Sequence, residues 1–122
     1  MYKSILPIAI ALASLAACGP TGPSKGFRTD VAAQMKSIET PLAQCYKDAL
    51  WQHRGLRGTM ILNFKIQAKT GQFMYARVAR TEFGNVQLET CVVRQINTLK
   101  LTKPESTTID IETFPLQFWP LN

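Results

Sequence analysis

The strongest constraint on the fold is an alternation of residue character between Gly58 and Ile66. Side chains of a β-strand point in turn to its two faces, so a period of two predicts a strand with one buried face. The inward set is Gly58, Met60, Leu62, Phe64 and Ile66, and the outward set is Thr59, Ile61, Asn63, Lys65 and Gln67. The chain is therefore expected to build a sheet with its core on one side.

A tight turn and a second strand follow, which together predict a β-hairpin. Residues 69–72 form the turn, with Gly71 expected at positive φ. Residues 73–80 return as the second strand. Phe73 is out of phase with Ala76 and Val78, and this mismatch predicts a bulge between them.

Helical periodicity precedes the hairpin. Apolar residues recur there at steps of three and four: Val31, Met35, Ile38, Leu42, Cys45 or Tyr46, and Ala49. Thr29 or Asp30 is expected to cap this helix. Pro41 is expected to kink or divide it, or to follow a new cap at Thr40. Gly55 is expected to end it in the left-handed conformation.

A second helix and a last strand follow the hairpin. Asn85 is expected to cap the helix. Its buried face is expected to hold Leu88, Cys91, Val92, Gln95, Ile96 and Leu99. Residues 107–119 are rich in Ile, Thr and Phe and predict a strand, in which Pro115 indicates a sheet edge or a bulge. The expected order is helix, hairpin, helix, strand.

The first 17 residues have the features of a secretion signal. Ile5 to Ala17 is apolar apart from Pro7 and Ser14, and at about 1.5 Å per residue it is too short to cross a ~30 Å hydrocarbon core. The run ends in Leu15-Ala16-Ala17-Cys18, which resembles the bacterial lipobox. The alternative is an ordinary cleavage site beside a chance cysteine.

The lipobox resemblance implies a membrane address. Cys18 would carry a diacylglycerol and an added acyl chain such as palmitate at the mature N-terminus. Gly19, standing where inner-membrane retention uses Asp, favours the outer membrane on its periplasmic face. We therefore divide the chain into a signal peptide (1–17), a lipidated cysteine with a Gly/Pro/Ser-rich tether (18–28) and one domain (29–122).

Length and composition restrict the function classes. A chain of 122 residues forms one small domain, and its single His and three Cys exclude a multi-histidine metal site. His53 lies eight residues after Cys45, roughly 12 Å along one helix, too far for a Cys–His nucleophile pair. We therefore expect no catalytic residues, metal, cofactor or small-molecule substrate.

A set of residues across positions 38–118 resembles the C-terminal domain of the AgmX/PglI gliding-motility proteins, which is itself similar to the TonB C-terminal domain. The set comprises Cys45-Tyr46, Gly58, Gly71, Val78, Cys91-Val92, Ile96 and Phe114-Pro115-Leu116-Gln117-Phe118. The chain departs from the family at Leu99, Leu101 and Thr102. The resemblance implies an α+β fold, a small antiparallel three-stranded sheet with both helices on one face. It also implies a protein-interaction module rather than a catalyst.

Two internal cysteines remain once Cys18 is lipidated. Cys45 and Cys91 lie on helices that the expected fold places side by side, and the periplasm is oxidising. A structural disulfide between them is favoured over two buried free thiols.

Two surfaces are candidates for a partner. One is the open sheet face with Arg57, Lys65, Tyr75 and Arg77, which suits an acidic protein or an anionic envelope polymer; the alternative is an ordinary solvated face. Nucleic acid fits the net charge of +6 but not the compartment. The other surface is the edge of the last strand from position 109 to 114, around Ile109 and Ile111, which could accept an extended peptide.

The expected function is a lipid-anchored, non-catalytic interaction module of the cell envelope, in a motility or other envelope complex. Its protein partner is unknown. The alternatives are a binding domain for an anionic envelope polymer and a small periplasmic enzyme.

Overall fold

The computed structural model describes residues 23–120 as three helices and a three-stranded antiparallel sheet of order β2-β1-β3. The elements are α1 (Phe27–Ser37), α2 (Glu39–Gln52), β1 (Gly58–Ile66), β2 (Phe73–Thr81), α3 (Val86–Ile96) and β3 (Ile109–Phe118). This arrangement confirms the expected α+β class and the order helix, hairpin, helix, strand. The predictions on the signal peptide, the lipobox and Cys18 lie outside the described residues. Within those residues, every helix is too short or too polar to span a bilayer.

The central strand β1 follows the predicted alternation. Its inward side chains are all buried, and it pairs with β2 on one side and β3 on the other. The hairpin turn depends on Gly71, whose φ of 75° confirms the predicted positive value. A Cβ at Gly71 would lie 3.0 Å from the Cβ of Leu101, so both the backbone conformation and the close approach require glycine here.

The apolar side chains of all three helices and of β1 form one continuous core. Its fully buried members of largest volume are Phe73, Met60, Leu62, Ile66, Leu88, Ile96 and Val92. Phe64 stacks on Phe73 with ring centroids 5.3 Å apart, and Tyr46 meets Phe118 at 5.2 Å. The first pair joins the two strands of the hairpin, and the second packs α2 against the end of β3.

The first helical stretch is divided, as Pro41 predicted, but the division falls at Ile38. Ile38 has φ −106° and joins α1 to α2, and Pro41 occupies the third position of α2. The first-turn N–H groups of a helix have no intrahelical partner, so proline costs little there. The predicted cap at Thr40 is therefore wrong.

Two further predictions at helix ends are also wrong. Gly26, at φ 90°, precedes α1, so Thr29 and Asp30 lie inside the helix rather than at its cap. Gly55 has no positive φ, because α2 already ends at Gln52 with His53 after it. By contrast, Asn85 caps α3 as predicted, and its Oδ1 accepts a hydrogen bond of 2.8 Å from the Leu88 N–H.

Candidate partner-binding edge and groove

Strand β3 pairs only with β1 within the described chain, so its other side is a free edge. The backbone groups on that edge follow from the register. The Thr59 carbonyl accepts from the Glu82 N–H, and the Gln67 N–H donates to the Gln72 carbonyl, so odd-numbered residues of β1 face β2. Because facing alternates along an antiparallel strand, even-numbered residues of β1 face β3.

Two residues near the end of β3 direct their backbone outward. Leu116 lies opposite Met60 and Phe114 opposite Leu62, so both Leu116 and Phe114 face β1. Pro115 and Gln117 therefore face the free edge. Pro115 has no N–H to offer, which suits this side of an edge strand. The prediction that Pro115 marks an edge strand is confirmed.

In the first half of β3, the predicted contact residues Ile109 and Ile111 do not direct their backbone groups toward the free edge. Ile111 lies opposite Phe64 and Ile109 opposite Ile66, so both isoleucines turn their backbone groups toward β1. Their side chains are half-buried on the helix side of the sheet. The outward backbone groups in this half belong to Asp110 and Glu112.

A bulge at Thr113 changes which residues of β3 face the free edge, from even-numbered before it to odd-numbered after it. Two residues of β3, Glu112 and Thr113, lie opposite the single residue Asn63 of β1. Thr113 has φ 56°, and its N–H donates to Asn63 Oδ1 at 3.0 Å. The free edge is thus divided into a first half at positions 110–112 and a second half at positions 115–117.

A groove of about 500 Å³ runs beside the second half of the edge, on the helix side of the sheet. We call this the edge groove, and its apolar lining includes Leu42, Ala43, Tyr46, Leu50, Leu116 and Trp119. The Tyr46 hydroxyl donates to the Leu56 carbonyl, which holds the floor of the groove in place. Sequence reasoning missed the edge groove, because Leu42 and Tyr46 read as ordinary core positions of a helix.

The open face of the sheet carries three of the four predicted basic or aromatic contact residues. Lys65, Tyr75 and Arg77 line a shallow depression of about 230 Å³ together with Asp110 and Glu112. The Lys65 Nζ lies 2.8 Å from Asp110 Oδ1, and this hydrogen bond raises the pKa of Lys65. The depression is therefore mixed in charge rather than basic.

Arg57 does not join this depression. It precedes β1 and lies near Tyr46, where burial raises the pKa of the Tyr46 hydroxyl and the Arg57 charge partly opposes that rise. The two acidic residues of the depression could have been found from sequence only by knowing the register that sets Lys65 opposite Asp110.

The two internal cysteines meet between α2 and α3. The sulfur atoms of Cys45 and Cys91 are 2.01 Å apart and their Cα atoms 5.8 Å apart, so the structure joins them in a disulfide. Cys45 is buried and Cys91 half-buried. Neither cysteine lines the edge groove or the depression on the open face.

The single histidine does not line the depression on the open face. His53 is exposed at the C-terminal end of α2, outside the disulfide and outside the edge groove. Among residues 23–120, no group of three or more His, Cys, Asp or Glu side chains is placed to hold a metal ion.

No protein-family model, curated protein or solved structure matches the chain. The kinship with the AgmX/PglI proteins remains an expectation from the sequence.

Proposed function

We propose that this chain is a lipid-anchored interaction module of the bacterial cell envelope, related to the AgmX/PglI and TonB C-terminal domains. It binds an extended segment of a partner protein as a fourth strand beside β3. The proposal includes the anchor at Cys18 on the periplasmic face of the outer membrane. It includes no catalytic residue, cofactor or nucleic acid. The observation that carries it is the free edge of β3 beside an apolar groove.

The edge supplies backbone hydrogen bonds and the edge groove supplies apolar contact. Outward N–H and C=O groups at Asp110, Glu112 and Gln117 are the partners that an added strand needs. Every second side chain of that strand points to the helix side of the sheet, where the edge groove opens. Main-chain bonds then give affinity, and the groove selects which side chains enter.

Gln117→Pro tests strand addition without disturbing the sheet, because the Gln117 N–H faces away from β1 and Pro115 already occupies an equivalent position. Gln117→Ala is the matched control: it removes the same side chain and keeps the N–H. A photoreactive residue in place of Trp119 would first capture the partner in membranes for identification by mass spectrometry. We expect Gln117→Pro to weaken binding of that partner at least about tenfold, with an unchanged melting temperature, and Gln117→Ala to bind normally.

The second candidate is an anionic envelope polymer or acidic protein on the open face. The exposed ring of Tyr75 beside Arg77 supports it, and the neighbouring Asp110 and Glu112 oppose it. Arg77→Glu separates the two candidates. Loss of binding in Arg77→Glu, with Gln117→Pro unaffected, would move the site to the open face and overturn the proposed strand addition.

A further inference from the structure

The edge groove continues past α2 into a second concave region that holds the other tryptophan of the chain. We call this region the tryptophan cleft; it has a volume of about 420 Å³ and is lined by Lys47, Leu50, Trp51, Arg54 and Pro120. Three of these residues, Lys47, Leu50 and Pro120, also line the edge groove. The two concavities therefore form one surface along α2.

We propose that this combined surface selects a partner segment that is apolar at alternate positions and carries acidic residues where it passes the tryptophan cleft. This inference rests on the proposed function, since it names the chemistry of the strand that β3 would accept.

Both tryptophans of the combined surface are exposed. Trp51 is 77% exposed and Trp119 is 55% exposed, and both line the combined surface. Isolated exposed apolar residues are common on monomers, but two tryptophans on one continuous concavity are typical of an interaction site. Their rings would lose water on binding an apolar side chain.

The charge of the cleft specifies the second property of the partner. Lys47 and Arg54 line it, and none of its described lining residues is acidic. The ion pair found in residues 23–120 is Lys65–Asp110, so neither cation of the cleft is paired with a carboxylate there. Glu39 lines only the edge groove. A segment with Asp or Glu opposite Lys47 and Arg54 therefore complements the cleft.

The placement of the cleft favours a protein over a lipid surface, although tryptophans and cations also occur at membrane interfaces. The start of the described chain lies near the hairpin turn. The Ser24 N–H donates to the Glu105 carboxylate, and the Glu105 backbone carbonyl accepts from the Lys69 N–H in that turn. Trp119 follows the other end of β3, where Phe118 pairs with Gly58. The length of β1, about 27 Å, separates these ends.

The proposed anchor attaches at the hairpin end, so the tryptophan cleft lies at the end of the domain farthest from it. A surface in this position can meet a segment arriving from the periplasm. Contact of the cleft with the anchoring leaflet would instead require the domain to turn over on its tether.

Intrinsic fluorescence provides a direct readout, because Trp51 and Trp119 are the two tryptophans of the whole chain. The probes are blocked, tryptophan-free peptides of nine residues with Val and Phe at alternate positions of the central five, Ser between them, and either two Glu or two Lys residues at each end, so that a charged end passes the cleft in either strand direction. The full chain is held in phosphatidylcholine vesicles. We expect a saturable blue shift with the Glu peptide and at least about tenfold weaker binding of the Lys peptide.

Two matched pairs of variants locate the site. Ala43→Arg fills the edge groove from an exposed helix position and is expected to abolish the shift, whereas Ala32→Arg places the same side chain on the exposed face of α1 and should have no effect. Lys47→Glu combined with Arg54→Glu is expected to reverse the preference in favour of the Lys peptide. Arg28→Glu combined with Lys36→Glu makes the same charge change on α1 and should leave the preference intact.

Each contrary outcome has a distinct meaning. No shift, equal binding of the two peptides, or full binding by Ala43→Arg would overturn the inference. A blue shift caused by phosphatidylglycerol vesicles alone, and lost in the Lys47 and Arg54 double variant, would assign the cleft to a membrane instead. If Gln117→Pro abolishes binding of the captured partner while Ala43→Arg does not, strand addition stands and the groove inference fails. The reverse result would keep the groove and remove strand addition.

Discussion

Tyr75 and Thr113 occupy corresponding bulges on the two strands that flank β1, and both have positive φ, 55° and 56° respectively. On β2, Tyr75 and Ala76 together lie opposite Phe64, and on β3 the bulge at Thr113 lies opposite Asn63. Paired bulges increase the local twist of a sheet. The bulge at Tyr75 also places its ring on the open face, and the bulge at Thr113 determines which residues of β3 face the free edge.

The first prediction concerns the conformation of Thr113. A β-branched residue at positive φ is strained by roughly 1 kcal/mol, and glycine adopts this conformation without that strain. The Thr113 hydroxyl donates only to the neighbouring Glu112 carbonyl among the described residues, so little else is lost on its removal. We expect Thr113→Gly to leave the free energy of unfolding unchanged or to raise it by up to about 1 kcal/mol.

Thr59→Gly is the matched control for this prediction, because Thr59 lies in β1 with an ordinary strand conformation. There the same substitution should destabilise the domain by roughly 1 kcal/mol. Urea unfolding monitored by far-ultraviolet circular dichroism measures both variants. Equal destabilisation by the two substitutions would show that Thr113 is not strained.

The second prediction concerns the disulfide. The bridge between Cys45 and Cys91 spans 46 positions of the chain. Closing such a loop lowers the entropy of the unfolded chain, and replacing both cysteines by Ala should reduce the free energy of unfolding by about 4 kcal/mol, less any strain that the bridge carries. Alkylation of the unfolded chain without reductant is expected to label neither cysteine. Full labelling of both would show that the protein folds without the bridge.

Local signals in the sequence were sufficient for the central hairpin. The alternation over Gly58–Ile66, the turn at Gly71 and the cap at Asn85 each depend on residues within a few positions of one another. Such features are decided by side-chain period and backbone conformation. The bulge between Phe73 and Ala76 was also predictable, because it interrupts the alternation and the structure places Tyr75 there.

The features that were missed depend on contacts distant in sequence. Asp30 resembled a cap by its type, but its carboxylate accepts hydrogen bonds from the backbone N–H groups of Thr102 and Lys103, 72 and 73 positions away. Thr113 gave no signal of a bulge, since threonine disfavours positive φ, and without that bulge the outward residues of β3 could not be assigned. Ile111, which the sequence indicated as a contact residue of the edge, faces β1 instead, so a proline at position 111 would break its pairing with Phe64 rather than block the edge.

The third prediction concerns the pH dependence of Asp30. Partial burial raises the pKa of this carboxyl, but hydrogen bonds from the Lys103 and Thr102 backbone lower it to below its ordinary value of 3.8. The folded state therefore favours the charged form. The resulting stability is present at neutral pH and is lost as the pH falls through the lowered pKa.

Asp30→Asn tests this dependence. The variant should be about 1 kcal/mol less stable than the wild type at pH 7. The figure is modest because the site is half-exposed. The difference in stability should shrink toward zero near about pH 2. Asp48→Asn is the control, since Asp48 bonds only to Gln44 within one exposed helix face among the described residues. A difference between wild type and Asp30→Asn that does not change with pH would contradict the prediction.

The last prediction concerns the anchor. The sequence Leu15-Ala16-Ala17-Cys18 places a thiol directly after the apolar run, as the lipobox requires. Lipidation of Cys18 would keep Ser24 within about 20 Å of the membrane, because an extended chain spans about 3.3–3.6 Å per residue. We expect the wild-type protein to fractionate with membranes and to incorporate labelled palmitate. Cys18→Ser should be released or should retain residues 1–17, while Gly19→Ala, which keeps the lipobox, should behave as the wild type. Intact mass spectrometry of the wild type decides the matter: a mature chain that begins at an unacylated residue would remove the anchor from the proposed function.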